Sequence, residues 1–380
     1  MNERIILRRV TYRYTIDYEI VSAPNLFDPA NPALLSVGKL DHARRFVVVD
    51  SNVERFHSAA IRDYFSKNHI EAKIISFTSG EENKTMDHYL SIIRELDDFP
   101  LCRRDEPIIA IGGGVLTDVV GFVAGSYRRG VPHINVPTTL MGYVDASIGI
   151  KAGVNFDGYK NRLGGFAPPV KVLLDRSFLK TLPKRHILNG VCEILKLAII
   201  KDVELFNLLE SYGAQSVEDN FQNEAGGVIL DRAICGMVEE LQPNLLEEEL
   251  SRKTDFGHTF SYGLETQYES SLFHGEAVLL DIVISTLIAW KRGLLLDEQV
   301  ERIFHLIASL GLILASTNLD ANMLWRSLQE RIYHRNGLQR VPLPNGIGSC
   351  TFVNDVNLGE IEQAVHAVEN RIAIKNGLIW

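Results

Sequence analysis

The feature that most constrains this chain is a change of hydrophobic period at Asp175. Before it, short β-branched or apolar runs recur: RFVVVD at 45–50, IISF at 74–77, PIIAIGG at 107–113, HINVP at 133–137 and VKVLLD at 170–175. Helix-like stretches, including 57–68 and 86–97, lie between them. Strands alternating with helices imply an α/β layer around a mostly parallel sheet. After Asp175 the segments 184–200, 202–213, 224–248, 275–293, 296–310 and 318–332 place apolar residues three and four apart, the period of packed amphipathic helices. GIGSCTFVNDV then reads as a short strand or hairpin before a last helix at 358–370. The expected fold is α/β plus all-α: a Rossmann-like nucleotide-binding domain over residues 1–176 and a helical domain over 177–380.

Composition narrows the function classes. The chain has 380 residues, beyond the roughly 250–300 at which single cores stop growing, so two domains are expected. A formal charge of −9 argues against a nucleic-acid surface, which needs an excess of Lys and Arg to neutralise phosphates. The four cysteines, Cys102, Cys192, Cys235 and Cys350, are scattered without a C-x-x-C pair, so a reducing cytoplasm is expected rather than a disulfide framework. MNERIILRRV lacks a secretory pattern, and the apolar run 277–289 contains Asp281 and is too short to span a bilayer.

The segment 107–129 is a strand, three consecutive glycines and a helix. Glycines at a strand's carboxyl end let backbone approach a pyrophosphate, and the following helix offers free N–H groups. The pattern stops short of G-x-G-x-x-G because Thr117 holds the sixth position, so a bare turn is the alternative. Upstream, Asp50 could accept from ribose hydroxyls or cap a helix. SGEENK adds Glu81 and Lys84, which read equally as a charged surface loop.

In the helical half three residues have metal-ligand chemistry: Glu193 in NGVCEILKLAI, His258 in DFGHTFSYGLE and His274 in LFHGEAV. Two imidazoles and one carboxylate leave an open coordination position, which suits a catalytic rather than a structural zinc. Lys196 follows Glu193 by one helical turn and shares its face; an ordinary Glu–Lys surface pair is the alternative.

Taken in order, GGGVLTDVVGFVAGSYRRG, VPTTLMGYVDASIGIKAGVN, GYKNRLGGF, TLPKRHILNGVCEILK, DFGHTFSYGLE and FHGEAV resemble the 3-dehydroquinate synthase family within the sugar phosphate cyclases. The likeness runs from about residue 45 to 355. It implies an N-terminal NAD-binding domain and a C-terminal metal-binding domain, with zinc or cobalt on Glu193, His258 and His274. It implies NAD contacts from Asp50, Asn52, Glu81, Lys84, Gly113, Gly114, Asp118, Thr138, Thr139, Lys160 and Thr181. Substrate and catalytic positions fall on Asp145, Lys151, Lys160, Asn161, Lys196 and Asp255. Arg129 would reach the phosphate of the neighbouring subunit in a homodimer.

The departures from that family bear on the substrate. Met237 and Ser251 stand where its enzymes carry Lys and Arg, with Arg252 adjacent as a displaced substitute for that Arg, Asp255 where they carry Asn, Tyr262 where they carry a second His, and the prolines of RVPLPNGIGSC where a late Lys is expected. Fewer cations and an added acid favour a neutral hydroxymethyl end over a carboxylate. Sedoheptulose 7-phosphate fits. DFGHTFS paired with PLP-x-x-IGSC-x-FVNDV, and the early FDPANPALL, resemble the 2-epi-5-epi-valiolone synthases. The implied reaction is transient oxidation by NAD, phosphate elimination, re-reduction and intramolecular aldol closure. The alternatives are a 2-epi-valiolone, desmethyl-4-deoxygadusol or 3-dehydroquinate synthase, or a metal-dependent polyol dehydrogenase.

Overall fold

The computed structural model describes residues 10–35, 44–267, 272–314 and 319–374. The first half contains β1 (Glu19–Ser22), β2 (Arg45–Asp50), α1 (Ser51–Lys67), β3 (Ala72–Phe77), α2 (Met86–Asp97), β4 (Ile108–Gly112), α3 (Gly114–Ser126), β5 (His133–Pro137), β6 (Lys151–Phe156), β7 (Tyr159–Phe166) and β8 (Lys171–Leu174). Six strands form one parallel sheet in the order β1-β8-β5-β4-β2-β3. The runs of β2, β4 and β5 are almost wholly buried because helices cover both faces of the sheet. Alternation then sorts their side chains: Val47, Val49, Ile109 and Ile111 enter one core, Phe46, Val48, Ile108 and Ala110 the other. From β2 the chain builds outward to β3 on one side and, through β4, to β5 on the other. The carboxyl ends of β2 and β4 thus flank the point where strand order reverses, where such sheets bind ligands.

The second half contains α4 (Lys184–Ile200), α5 (Val203–Glu218), α6 (Glu224–Leu241), α7 (Ser261–Gln267), α8 (His274–Lys291), α9 (Asp297–Ser309), α10 (Ala321–His334), β9 (Val341–Pro344), β10 (Cys350–Val353) and α11 (Leu358–Ile374). α8 is apolar nearly all round and lies at the centre, packed against α4, α7 and α11. Among the described residues no helix is long and apolar enough to cross a membrane. The last strand of the large sheet ends at Leu174 and α4 begins at Lys184.

Several bounds differ from the sequence reading, each for a local reason. α1 starts at Ser51 rather than residue 57, because the Asp50 carboxylate accepts from the Asn52 N–H at 2.9 Å and caps it. α6 stops at Leu241 rather than 248, where Pro243 enters a 3₁₀ turn over Gln242–Asn244. β6 and β7 form an unanticipated hairpin. Its two-residue turn, Asp157 at φ 53° and Gly158 at φ 74°, has both central residues left-handed, as a type I′ turn requires.

Candidate active site

At the nucleotide end, the three glycines are dictated by what crowds them. A Cβ on Gly112 would lie 2.6 Å from Leu116 Cδ2 and 3.0 Å from Asp50 Cβ; one on Gly113, 2.9 Å from Thr139 Cγ2; one on Gly114, 2.9 Å from Ala146 Cβ. Only glycine lets the β4 end pass between these neighbours. Gly113 is the N-cap of α3 and carries no capping side chain, so the first N–H groups of that helix can meet an anion. Asp50 caps α1 and also accepts from the Ser79 hydroxyl, which takes a 2.8 Å hydrogen bond from Asn52 Nδ2. Ser79 thereby joins a cluster in which the sequence reading had no place for it.

Thr138 donates its backbone N–H to the Gly112 carbonyl at 2.9 Å, and Thr139 Oγ1 accepts from the Gly142 N–H at 3.1 Å. Glu81 accepts from Asn155 Nδ2 at 2.9 Å. Lys84 is buried between Asp118 Oδ2 and Asn161 Oδ1. Burial works against its charge, but Asp118 and Glu81 outweigh burial and hold the ammonium above the ordinary lysine value. Thr181 is exposed at the end of a 3₁₀ turn, its hydroxyl 3.3 Å from the Phe178 carbonyl.

At the other end, Glu193 of α4, His258 of the turn before α7 and His274 at the start of α8 converge. His258 Nε2 and His274 Nε2 lie 3.7 and 3.5 Å from Glu193 Oε1, and one ligand atom from each residue falls within 4.8 Å of the others. Both Glu193 oxygens are buried without a hydrogen bond; the Lys196 ammonium, one turn on, is the ion-pair partner of Oε2. A buried carboxylate oxygen short of a donor and facing two imidazole nitrogens is what a divalent cation relieves. The far ring nitrogens are already engaged. His274 Nδ1 contacts Glu265 Oε1 at 2.9 Å and His258 Nδ1 contacts the Phe256 carbonyl at 3.2 Å, which aims both Nε2 atoms toward Glu193. These residues fit a cation with open positions for substrate oxygens.

The electrostatics agree. Burial and the Lys196 charge push His258 down to about 3, leaving a neutral ligand. Burial also lowers His274, but Glu265 and Glu193 more than offset it and raise the ring to about 10, so the site stabilises positive charge at that nitrogen. Local sequence explains the placement. A Cβ at Gly275 would sit 2.1 Å from the Asn189 carbonyl, so glycine after His274 lets α8 start hard against α4. Asp281 of α8 accepts from the N–H groups of Phe260 and Ser261, capping α7 from outside and fixing the turn that carries His258.

Between the two ends stand the other expected residues. Asp145 lies on a single π turn, Gly142–Ala146; burial and the Glu193 charge push its carboxyl up. Lys196 is buried beside Glu193, with Asp145 and Asp255 also raising its ammonium against the effect of burial. Lys160 reaches Glu265 Oε2 at 2.7 Å, and Lys151 pairs with Glu247. Arg129 is not gathered in with them. It is exposed after α3 on a stretch where Arg128, Arg129 and Gly130 all have positive φ, and its carbonyl accepts from Arg103 at 3.0 Å.

The electrostatic reading of Asp255 requires correction. Asp255 is not a lone acid in a pocket stripped of cations. Its Oδ1 accepts from Arg252 at 2.6 Å, its Oδ2 from Arg335 at 3.0 Å, and Arg331 stands at 4.0 Å. Arg252 also pairs with Glu247, and Arg340 donates to Ser251 Oγ at 2.8 Å. Burial opposes the Asp255 charge, but the three arginines overcome it and hold the carboxyl below its usual value. Met237 is part of the helical core, Pro342 and Pro344 are buried in β9, and Tyr262 is half-buried on α7.

Comparison with known proteins places this geometry. Residues 74–189 match the 3-dehydroquinate synthase N-terminal family and residues 190–331 the 3-dehydroquinate synthase C-terminal family. The chain is 48% identical over 358 residues to a 2-epi-5-epi-valiolone synthase of Streptomyces albus, covering 92% of this chain and 87% of that one. The structure of ValA, the 2-epi-5-epi-valiolone synthase from Streptomyces hygroscopicus subsp. jinggangensis 5008 with NAD⁺ and Zn²⁺ bound, superposes with a TM-score of 0.92 at 41% identity, over 96% of this chain and 100% of ValA. A 2-deoxy-scyllo-inosose synthase complexed with carbaglucose-6-phosphate, NAD⁺ and Co²⁺ shares the fold at a TM-score of 0.75 and 21% identity, over 92% and 96% of the two chains. The chain belongs to the 3-dehydroquinate synthase family and is a sugar phosphate cyclase.

Proposed function

We propose that the chain converts sedoheptulose 7-phosphate to 2-epi-5-epi-valiolone and inorganic phosphate, as an NAD- and zinc-dependent carbon–oxygen lyase. The observation that carries this reading is a run of contacts from Asp118, on the helix that follows the glycine turn, to the cation triad. Lys84–Asn161, Lys160–Glu265–His274 and Lys196–Glu193 follow one another across it. Its support is the high identity to enzymes of that name. Bound NAD would take a hydride from the sugar and return it, and a cation on Glu193, His258 and His274 would polarise the sugar's vicinal oxygens.

The remaining chemistry falls to side chains. Lys151, Lys160 and Asn161 hold the phosphate end and stabilise the charge that develops as it leaves. Lys196, charged and buried, donates to a substrate oxygen beside the cation, and Asp145 stands ready to carry a proton. Asp255, kept ionised by its arginines, accepts from a hydroxyl at the far end of the sugar. Of those arginines, Arg252 and Arg335 already donate to Asp255, and Arg252 also pairs with Glu247. The preference for a neutral end over a carboxylate therefore rests on the likeness to the valiolone synthases and is left to the experiment below. Enclosure then brings the ring-closing carbons together, an effect of orientation. In the same reading the active unit is a cytoplasmic homodimer, and the exposed Arg129 reaches the phosphate of the partner subunit.

Metal-loaded protein with NAD is incubated in parallel with sedoheptulose 7-phosphate and with the carboxylated heptulosonate precursor of dehydroquinate. The expected result is phosphate release and a cyclitol product from the first alone, without net NADH. NADH accumulating in step with product, or consumption of only the carboxylated sugar, would overturn the proposal.

A further inference from the structure

Glu265, on α7, is 6% exposed and is shared between two cationic or donor groups. Its Oε1 faces His274 Nδ1 at 2.9 Å and its Oε2 faces Lys160 Nζ at 2.7 Å. His274 belongs to the cation triad, whereas Lys160 belongs to β7, seven of whose eight residues are exposed. One carboxylate therefore joins a proposed cation ligand of the helical half to a largely exposed strand of the other half. A second pair, Lys151–Glu247, ties the same hairpin down, but Lys151 is 62% exposed whereas the Lys160 and Glu265 side chains are 17% and 8% exposed. Exposed pairs contribute little to order, so the buried pair is the stronger tether.

We propose that Glu265 is a positioning residue that couples cation binding at Glu193, His258 and His274 to the docking of the β6–β7 hairpin on the helical half. The proposal rests on the reading of those three residues as metal ligands. The two partners meet different oxygens of Glu265, and an amide would set an NH2 group against one of these donors in place of an acceptor. A cation that draws on the His274 ring strengthens its hydrogen bond to Glu265 and fixes the carboxylate. The fixed carboxylate in turn holds Lys160, and with it the strand that also carries Asn161. Linkage makes the effect mutual: whatever orders the hairpin tightens the cation.

The test measures zinc affinity by chelator competition, and hydrogen exchange over residues 151–166 with and without zinc. In the unaltered protein zinc slows exchange in the hairpin by about fivefold or more. In Glu265→Gln zinc affinity falls by about 10–100-fold and the hairpin no longer responds to zinc. Lys160→Met leaves the Glu265–His274 contact in place; it keeps zinc affinity within about tenfold and loses the hairpin response. The proposal fails if Glu265→Gln binds zinc as before, or if its hairpin still responds at saturating zinc. Zinc that binds the unaltered protein without touching the hairpin sinks the coupling alone. Zinc affinity that is indifferent to His258→Ala sinks the ligand assignment instead.

Discussion

The two ends of the site are built by opposite means. At the nucleotide end the chain works by leaving atoms out: Gly112, Gly113 and Gly114 are small because Leu116, Thr139 and Ala146 are too near for anything larger. At the cation end it works by putting charge where water cannot reach: Glu193 and Lys196 are both buried, and Asp255 lies within hydrogen-bond reach of two arginines. A gap tolerates polar change around it but no added methyl. A buried charge network tolerates changes of shape better than the loss of one partner, because the partner left behind is stranded. The ends should therefore fail in different ways when altered.

The largest effects belong to the charged end. His258→Ala or His274→Ala is expected to abolish metal binding and lower turnover by about a thousandfold or more, roughly 4 kcal/mol of transition-state stabilisation. Glu193→Ala adds a folding defect of about 3 kcal/mol, since buried Lys196 loses its contacting carboxylate and keeps only the longer-range pull of Asp145 and Asp255. Elemental analysis and thermal melts separate the two; full metal content in any of these variants would break the comparison. Next comes Asp255→Asn, which leaves Arg331 and Arg335 without a carboxylate while Arg252 keeps Glu247, and is expected to lower stability at neutral pH by about 2–3 kcal/mol. Its pH signature has a definite sign. Because the Asp255 carboxyl lies below its ordinary value when folded, its stabilisation is complete above about pH 4, near the unfolded value. It is lost as pH falls further, through the folded value. Denaturant titrations from pH 7 to 2 should show a shallower acid-side loss in Asp255→Asn than in the parent. An unchanged slope would mean the arginine cage does not hold Asp255 ionised.

The same contrast explains what was legible in the sequence. β2, β4, β5 and β8 were readable because burial on both faces demands uninterrupted apolar runs. α2 and α4 were bounded as expected because Thr85 caps one and Pro183 precedes the other. The three proposed cation ligands stood out because each sits in a distinctive local segment. The β6–β7 hairpin did not, since an exposed β7 has no burial pattern to display; its Asp157–Gly158 turn was the available clue. The role of Asp255 was misjudged because, although Arg252 lies only three residues before it, the second arginine that donates to it, Arg335, lies 80 residues away. Glu265 appeared as the last letter of DFGHTFSYGLE, but nothing local says that a glutamate seven residues after one histidine will stand behind another. Close approach and charge pairing across elements are tertiary facts, and a periodic pattern carries neither.

Smaller effects sharpen the nucleotide end. Gly113→Ala places a methyl 2.9 Å from Thr139 Cγ2, an overpacking expected to weaken NAD binding by about tenfold while leaving metal content intact. Thr139→Ser in the same chain removes that methyl but keeps the hydroxyl that accepts from Gly142, so the pair should recover most of the loss. If it does not, the glycine is needed for backbone freedom rather than for space. The smallest effect is expected at Thr181, the expected cofactor contact that lies at the surface. Its hydroxyl spends itself on Phe178 within its own turn. A neutral hydrogen bond of that kind contributes about 1 kcal/mol. Thr181→Ala should thus raise the Kd for NAD by no more than about fivefold, read by fluorescence titration, with metal affinity unmoved. A larger loss would mean that the hydroxyl leaves Phe178 for the cofactor, and that the nucleotide end also relies on polar contacts; no loss would leave the glycine turn as the principal determinant of NAD binding.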